Sequence, residues 1–377
     1  MDISLLAFAL VFALAYANGT NDVSKAIATL VGSGVTHYQA AIIWGTIWTT
    51  LGAGLSAFVA SAMVKTFSQG LIQTGTIVQP VVGLAVLTGA MAWILFASRT
   101  GLPVSTTHAL TGAIVGTGLM AFAGETLIWP AIAKKIALPL LLSPFLALTV
   151  SLLIHPAIRA LAWRWEGACL CVMPASRALV AIGARGGTRI LFQTTSFGQP
   201  VMAVPSECGR AGLRGLVMGL DTIHWISSGL ASFARGTNDA PKIVAILLIG
   251  SSAATWPSAS SQLIVFGGIA IAMGLGSYFG GLRVTEVLAE KVTKMNHAEG
   301  LSANLTTSTL VLASGFLGLP VSTTHISSSA IIGIGLLKGW NNVRWTTVRD
   351  MVLAWIVTLP ASALLACISY LILIRAL

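Results

Sequence analysis

Charge is scarce in this chain of 377 residues: Asp, Glu, Lys and Arg together make up 8%, against roughly 25% in a soluble domain. Such a sequence cannot be a disordered chain, which needs low hydrophobicity and dense charge. Nor does it describe a soluble globule, since 55% of it is hydrophobic and its mean hydropathy is +0.88. Cysteine is rare as well. Cys169, Cys171, Cys208 and Cys367 are too few for a disulfide scaffold, and the Cys169/Cys171 pair has no further His or Cys at zinc-like spacing. The ten-residue alternation of a membrane β-barrel is missing too.

What the chain does have is long, evenly apolar runs. A bilayer-crossing helix needs about 20 mostly apolar residues, and each flank of the chain holds five or six such runs. The middle is different: Arg159, Arg164, Arg177, Arg185, Arg189, Arg210 and Arg214 fall there, opposed only by Glu166 and Glu207. The positive-inside bias reads this as a cytoplasmic loop. The base-stacking aromatics that would interleave a nucleic-acid site are lacking. The expected division is an N-terminal transmembrane repeat over 1–157, an Arg-rich cytoplasmic loop over 158–214 and a C-terminal transmembrane repeat over 215–377. That makes a multi-pass protein of the plasma (inner) membrane.

The halves are copies. Gly19-Thr20-Asn21-Asp22 recurs as Gly236-Thr237-Asn238-Asp239, and Gly101-Leu102-Pro103-Val104-Ser105-Thr106-Thr107-His108 recurs as Gly318-Leu319-Pro320-Val321-Ser322-Thr323-Thr324-His325. Both motifs return at one offset, 236 − 19 = 318 − 101 = 217. At the same offset Ile3–Ala17, which ends in a mimic of an A-x-A cleavage site, maps onto the mid-chain Leu220–Ala234. That run is therefore expected to be a span and not a cleaved leader. If each half crosses the membrane an odd number of times, the copies insert in opposite senses. The fold expected is an all-α polytopic membrane protein of two inverted-topology repeats, with broken helices meeting at the membrane midplane.

Ionisable groups in hydrocarbon are costly and usually serve a partner or a water path. Asp22 and Asp239 follow Gly-Thr-Asn and precede a new helical run, which reads as a helix broken and restarted with Asn or Asp as the cap. Gly-Leu-Pro stops a second helix, and Ser105, Thr106, Thr107 and Ser322, Thr323, Thr324 then start the next, where free N–H groups and the dipole favour an anion. Two such copies could cage a tetrahedral oxyanion. Carboxylates beside an anion need a cation between them, either Na⁺ held by Asp and Asn oxygens or a proton. An unprotonated Asp could accept a bond from the P–OH of hydrogen phosphate, a group that sulfate lacks. Lys25 and Lys242, three residues after each Asp, are read either as counter-charges on the same face or as snorkelling outward. His108 and His325 are read as packing, substrate contact or a pH role. Arg235, whose counterpart is Asn18, either helps attract the anion or is interfacial or ion-paired. Trp44, Trp48, Trp129, Trp256 and Trp340 are read as anchors or packing, and Gln199 carries no signal.

In these motifs the chain resembles the inorganic phosphate transporter family, with its duplicated GANDVAN-like and PVSTTH-like segments; only the Arg-rich loop lies outside the likeness. Thr20 and Thr237 stand in place of the usual alanine, and Ser24-Lys25 and Pro241-Lys242 in place of Ala-Asn. The resemblance implies Na⁺- or H⁺-coupled phosphate symport and a homodimer in the lipid bilayer, with no cofactor beyond sodium as co-substrate. Asn21, Asp22, Asn238 and Asp239 would be sodium ligands. The two asparagines would also serve phosphate, together with the six hydroxyls of the STT segments. The first reading is thus a sodium-coupled phosphate symporter working by alternating access; the second is a proton-coupled phosphate, sulfate or other oxyanion permease. A Ser105/His108 enzyme lacks an acid to orient the histidine, and a channel is the remaining rival.

Overall fold

The computed structural model describes residues 3–68, 70–73, 78–165, 169–172, 178–184, 187–193, 200–203, 216–250 and 258–376, apart from the side chains of 163–218. The first half runs α1 (Ile3–Asp22), α2 (Ser24–Gly32), α3 (Tyr38–Val59), α4 (Ser61–Ser68), α5 (Pro80–Thr100), α6 (Thr106–Phe122), α7 (Trp129–Ala131), a π-helical turn (Ile132–Ala137) and α8 (Leu138–Trp165). The second half runs α9 (Leu220–Gly250), α10 (Ala259–Gly280), α11 (Leu282–Glu290), α12 (His297–Phe316), α13 (Thr323–Leu337) and α14 (Trp345–Ala376). Among the described residues, six stretches are long and apolar enough to cross a membrane: Ile3–Gly32, Tyr38–Val59, Pro80–Thr100, Trp129–Ala162, Ala259–Gly280 and Trp345–Ala376.

Helix faces show which solvent shaped them. On α3 the buried side is Ala41, Ile42, Gly45, Thr49, Gly52, Ala53 and Ser56, mostly small residues at helical spacing. The opposite side carries Ile43, Ile47, Leu51, Leu55 and Phe58, all exposed. Lipid tails are as apolar as leucine, so burial of apolar area does not drive these helices together; small residues that let backbones approach do. An exposed apolar belt of this extent would aggregate a soluble protein and suits a bilayer. Helix α10 repeats the pattern, with Leu263, Ile264, Ile271, Leu275 and Phe279 outward.

The halves interleave. Helix α1 packs on α10 and α9 packs on α3, so each GTND helix leans on a helix of the other half. Likewise α6 packs on α14, and α13 on α8. Each contact becomes its partner when the numbering is shifted by one repeat.

The GLPVSTTH segments form matched breaks. Gly101 (φ 77°) and Gly318 (φ 65°) take the left-handed conformation that ends a helix. Leu102 N–H then donates to Ala97 O and Leu319 N–H to Ser314 O, each at 2.9 Å, closing equivalent caps. Proline follows because it cannot continue a helix. Ser105 Oγ accepts from His108 N–H (3.2 Å) and Ser322 Oγ from His325 N–H (3.1 Å), starting α6 and α13.

The GTND segments correct the sequence expectation. In the first half the helix is interrupted at Val23 alone, whose φ and ψ (−57°, −34°) remain helical. In the second half α9 runs unbroken from Leu220 to Gly250 with Pro241 inside it. Neither Asp is a cap. Unwinding would strand carbonyls in a dry interior, while the polar side chains can bond one another without it. The helix breaks that meet are therefore the GLPV pair.

Between the halves, α8 extends past residue 157 to Trp165, and the described residues that follow form short strands: β1 (Cys169–Val172), β2 (Ala178–Ala184), β3 (Gly187–Gln193), β4 (Pro200–Ala203) and β5 (Leu216–Met218). β1 lies antiparallel between β4 and β5, and β2 pairs with β3. Arg177, Arg185, Gln199, Cys208, Arg210, Arg214 and Trp256 lie outside the described residues.

Candidate functional site

The duplicated motifs converge on one buried cluster. Asn21, Asp22, Ser105, Thr106, Thr107, Asn238, Asp239, Ser322, Thr323 and Thr324 are each at most 4% exposed. Glycines let them close up: a methyl group on Gly19 would come within 2.2 Å of Met273 O, and one on Gly236 within 2.4 Å of Thr49 O. These motif glycines let each GTND helix lie against the backbone of its partner helix.

At the centre is Asn18, which sequence reasoning marks only as the counterpart of Arg235. Its Nδ2 lies 3.2 Å from Asp22 Oδ2, 3.2 Å from Asp239 Oδ2 and 2.9 Å from Thr106 Oγ1. The carboxylates of the two halves thus flank one amide nitrogen. A signal was available: Asn18 is a polar residue in an apolar run, adjoining the motif.

The six hydroxyls divide into three matched pairs. Ser105 and Ser322 act as helix caps. Thr107 donates to Val321 O (3.2 Å) and Thr324 to Val104 O (2.7 Å), each bonding the opposite half. Thr106 and Thr323 point inward, 3.4 and 3.5 Å from Asp22 Oδ2. Two helix N-termini from opposite halves therefore meet at one carboxylate, bringing first-turn N–H groups that have no intrahelical acceptor.

Both lysines turn inward, which decides their reading. Lys25 Nζ donates to Asp22 Oδ1, to Asn21 Oδ1 (2.9 Å) and to Val104 O (3.1 Å). Lys242 Nζ donates to Asp239 Oδ1 (3.1 Å), Thr107 Oγ1 (2.8 Å) and Val321 O (3.3 Å). Asn21 is held further by Ser98 and Leu102 O, while Asn238 Nδ2 donates to Asp239 Oδ1 (3.0 Å).

Arg235 is 1% exposed and so is not interfacial. Its guanidinium donates to Thr49 Oγ1 (2.5 Å), Ser277 Oγ (3.3 Å) and Asn18 Oδ1 (3.5 Å), and its Nε has no acceptor among the described residues. Two carboxylates and three basic groups share this interior, so the cluster is net positive when all are ionised. A buried positive cluster with donors to spare suits an anion.

The rings of His108 and His325 meet at 4.7 Å with their planes tilted by 47°, and His325 packs on Trp355 at 4.2 Å while its Nδ1 lies 3.2 Å from Leu140 O. These contacts fit the packing role. Ser105 Oγ bonds the backbone of His108 and not its ring, as a cap does. Of the tryptophans, Trp44 meets Trp48 and Trp225 edge-on, and Trp340 stacks on Trp345. A separate cavity, lined in part by His155, Arg159, Asn296, Glu299 and Lys338, lies between α8, the start of α12 and the end of α13.

Comparison with known proteins places this geometry. The chain is 30% identical over 404 residues to a Pyrococcus abyssi protein that bears the name of a phosphate permease, covering 98% of this chain and 97% of that one. It is 29% identical over 375 residues to a Rhizobium meliloti protein named for low-affinity inorganic phosphate transport, covering 98% and 95%. A solved structure named "The sodium-dependent phosphate transporter" superposes with a TM-score of 0.74 at 24% identity over the whole of both chains, a likeness of fold. The profile of the phosphate transporter family matches residues 18–366, both copies of each motif included, so this multi-pass membrane protein belongs to that family of transporters and is not an enzyme.

Proposed function

We propose that the chain carries inorganic phosphate across the plasma membrane by alternating access, drawing on a cation gradient. One observation carries this: two STT helix N-termini from opposite halves close on a sealed, net positive cluster. The anion would lie among Thr106, Thr323, Asn18, Arg235 and the first-turn N–H groups of α6 and α13, with Asn21 and Asn238 flanking it. Of the expected donors, Ser105 and Ser322 would serve by shaping the helix starts, and Thr107 and Thr324 by closing the halves. Asp22 Oδ2, facing both inward threonines, would accept the P–OH of hydrogen phosphate and so disfavour sulfate. Because the cluster is shut off from solvent, loading requires the halves to part, breaking the Thr107–Val321 and Thr324–Val104 bonds. The two repeats would be inverted with respect to each other, placing the central segment in the cytoplasm, and the protein would act as a homodimer.

For the driving ion, Na⁺ bound by Asn21, Asp22, Asn238 and Asp239 draws support from the solved relative, whose name calls it sodium-dependent, but this reading requires Lys25 and Lys242 to leave the two carboxylates first. Proton coupling is the second reading, favoured by the ammonium groups already lying on both carboxylates. Radiolabelled phosphate uptake into proteoliposomes tests the whole: accumulation against a gradient is expected, with sulfate a poor competitor. Uptake that only equilibrates indicates a channel, and sulfate uptake equal to phosphate at pH 7 removes the substrate assignment.

A further inference from the structure

The two lysines do more than neutralise an aspartate. Lys25 Nζ has three acceptors of three kinds: a carboxylate (Asp22 Oδ1), a side-chain amide (Asn21 Oδ1) and a backbone carbonyl (Val104 O). Lys242 Nζ has a carboxylate (Asp239 Oδ1), a hydroxyl (Thr107 Oγ1) and the matching carbonyl (Val321 O). An ammonium offers three N–H donors, so each lysine is fully satisfied. Mixed carboxylate, amide, hydroxyl and carbonyl oxygens are also the donor set a small alkali cation takes where helices expose their carbonyls. Both side chains are almost wholly buried, at 2% and 0% exposure, and water does not screen them.

We infer that Lys25 and Lys242 are tethered cations filling the two oxygen cages beside Asp22 and Asp239, so that phosphate transport by this chain needs no sodium at these positions. A sodium ion bound to the same oxygens would sit within a few ångströms of an ammonium in a dry interior, where like charges repel strongly. The lysine would have to leave first, abandoning three hydrogen bonds made in a buried interior. With both ammonium groups in place, the positive charge that an anion needs is covalently part of the protein, and Arg235 adds to it. The inference rests on the phosphate reading for its transport test but not for its binding test.

The variants are Lys25→Asn and Lys242→Asn, which remove each ammonium and leave an amide oxygen on the same helix face. In proteoliposomes at fixed pH, replacing Na⁺ by N-methylglucamine is expected to leave wild-type phosphate uptake unchanged within about twofold. The variants are expected to lose at least about tenfold in N-methylglucamine and to recover with Na⁺. Wild-type uptake that collapses without Na⁺ overturns the inference. Thermal unfolding in detergent gives the second readout, since an ion that binds the native state raises the midpoint in a concentration-dependent way. Na⁺ titrated at constant ionic strength is expected to leave the wild-type midpoint in place and to raise that of a folded variant. A sodium-dependent rise in wild type that Lys25→Asn or Lys242→Asn abolishes overturns the inference. Where a variant does not fold, the wild-type titration decides alone, a rise counting against the inference and a flat response for it. Absence of phosphate uptake from wild type in any cation fails the functional reading and leaves this titration standing.

Discussion

Arg235 shows what one unmatched residue does in a duplicated interior. Its counterpart is Asn18, and the two meet across the plane between the halves, with a guanidinium nitrogen 3.5 Å from Asn18 Oδ1. Nη2 is anchored to Thr49 and Ser277 and Nη1 faces Asn18, while Nε has no acceptor among the described residues and is open to a ligand. Charged hydrogen bonds are worth about 1.5–3 kcal/mol, so Arg235→Gln is expected to raise the KM for phosphate by at least about tenfold, measured from initial uptake rates. An unchanged KM would assign Arg235 to structure alone. The residue types at this site were legible in the sequence because they recur; their directions were not. An i, i+3 spacing puts Lys25 and Asp22 on one helix face without saying whether that face looks to lipid or to the interior. Arg235 was ambiguous for the same reason, since burial is a property of its neighbours.

Among the elements, the GLPVSTTH cassette joins a left-handed glycine cap, a proline and a serine cap in eight residues. All three parts follow from local chemistry, and the breaks at 101–105 and 318–322 were readable as such. The GTND pair misled because Gly, Asn and Asp interrupt helices in water, where solvent takes up the freed backbone groups. Inside a bundle their small size and hydrogen-bonding side chains serve helix contact instead. The cassette's second threonine is not equivalent in the two halves. Thr324 only donates, to Val104 O, whereas Thr107 donates to Val321 O and also accepts from Lys242. Thr324→Val should cost about 1 kcal/mol, the net value of one hydrogen bond, since Lys25 still bonds Val104 O. Thr107→Val should cost about 1–3 kcal/mol more, because a buried ammonium loses an acceptor. Thermal midpoints in detergent will rank the two, and equal losses would contradict the asymmetry.

At the scale of the molecule, each half is incomplete without the other. The helix partners of α1 and α9 are α10 and α3, and those of α6 and α13 are α14 and α8. Residues 1–165 expressed alone are therefore expected to be degraded, and coexpression with 216–377 to restore phosphate uptake; a stable, monodisperse first half would argue against this interdependence. The duplication gave away the two-part plan, but no period in the sequence reports which helix of one copy touches which of the other. The strands between Cys169 and Met218 were equally hidden, because short pairings in a polar segment leave no hydrophobic alternation long enough to detect.

One oxygen ties these scales together. Asn21 Oδ1 accepts from Lys25, yet Asn238 Oδ1 is buried with no donor among the described residues, and Lys242 reaches across to Thr107 in its stead. Turning the amide over offers no relief, because Asn238 Nδ2 donates to Asp239 Oδ1 and the exchange would set an amide oxygen against a carboxylate. A buried acceptor left without a donor costs about 1–3 kcal/mol. The shut form carries that penalty in its second copy alone, and a guest with an O–H to donate at Asn238 Oδ1 would relieve it.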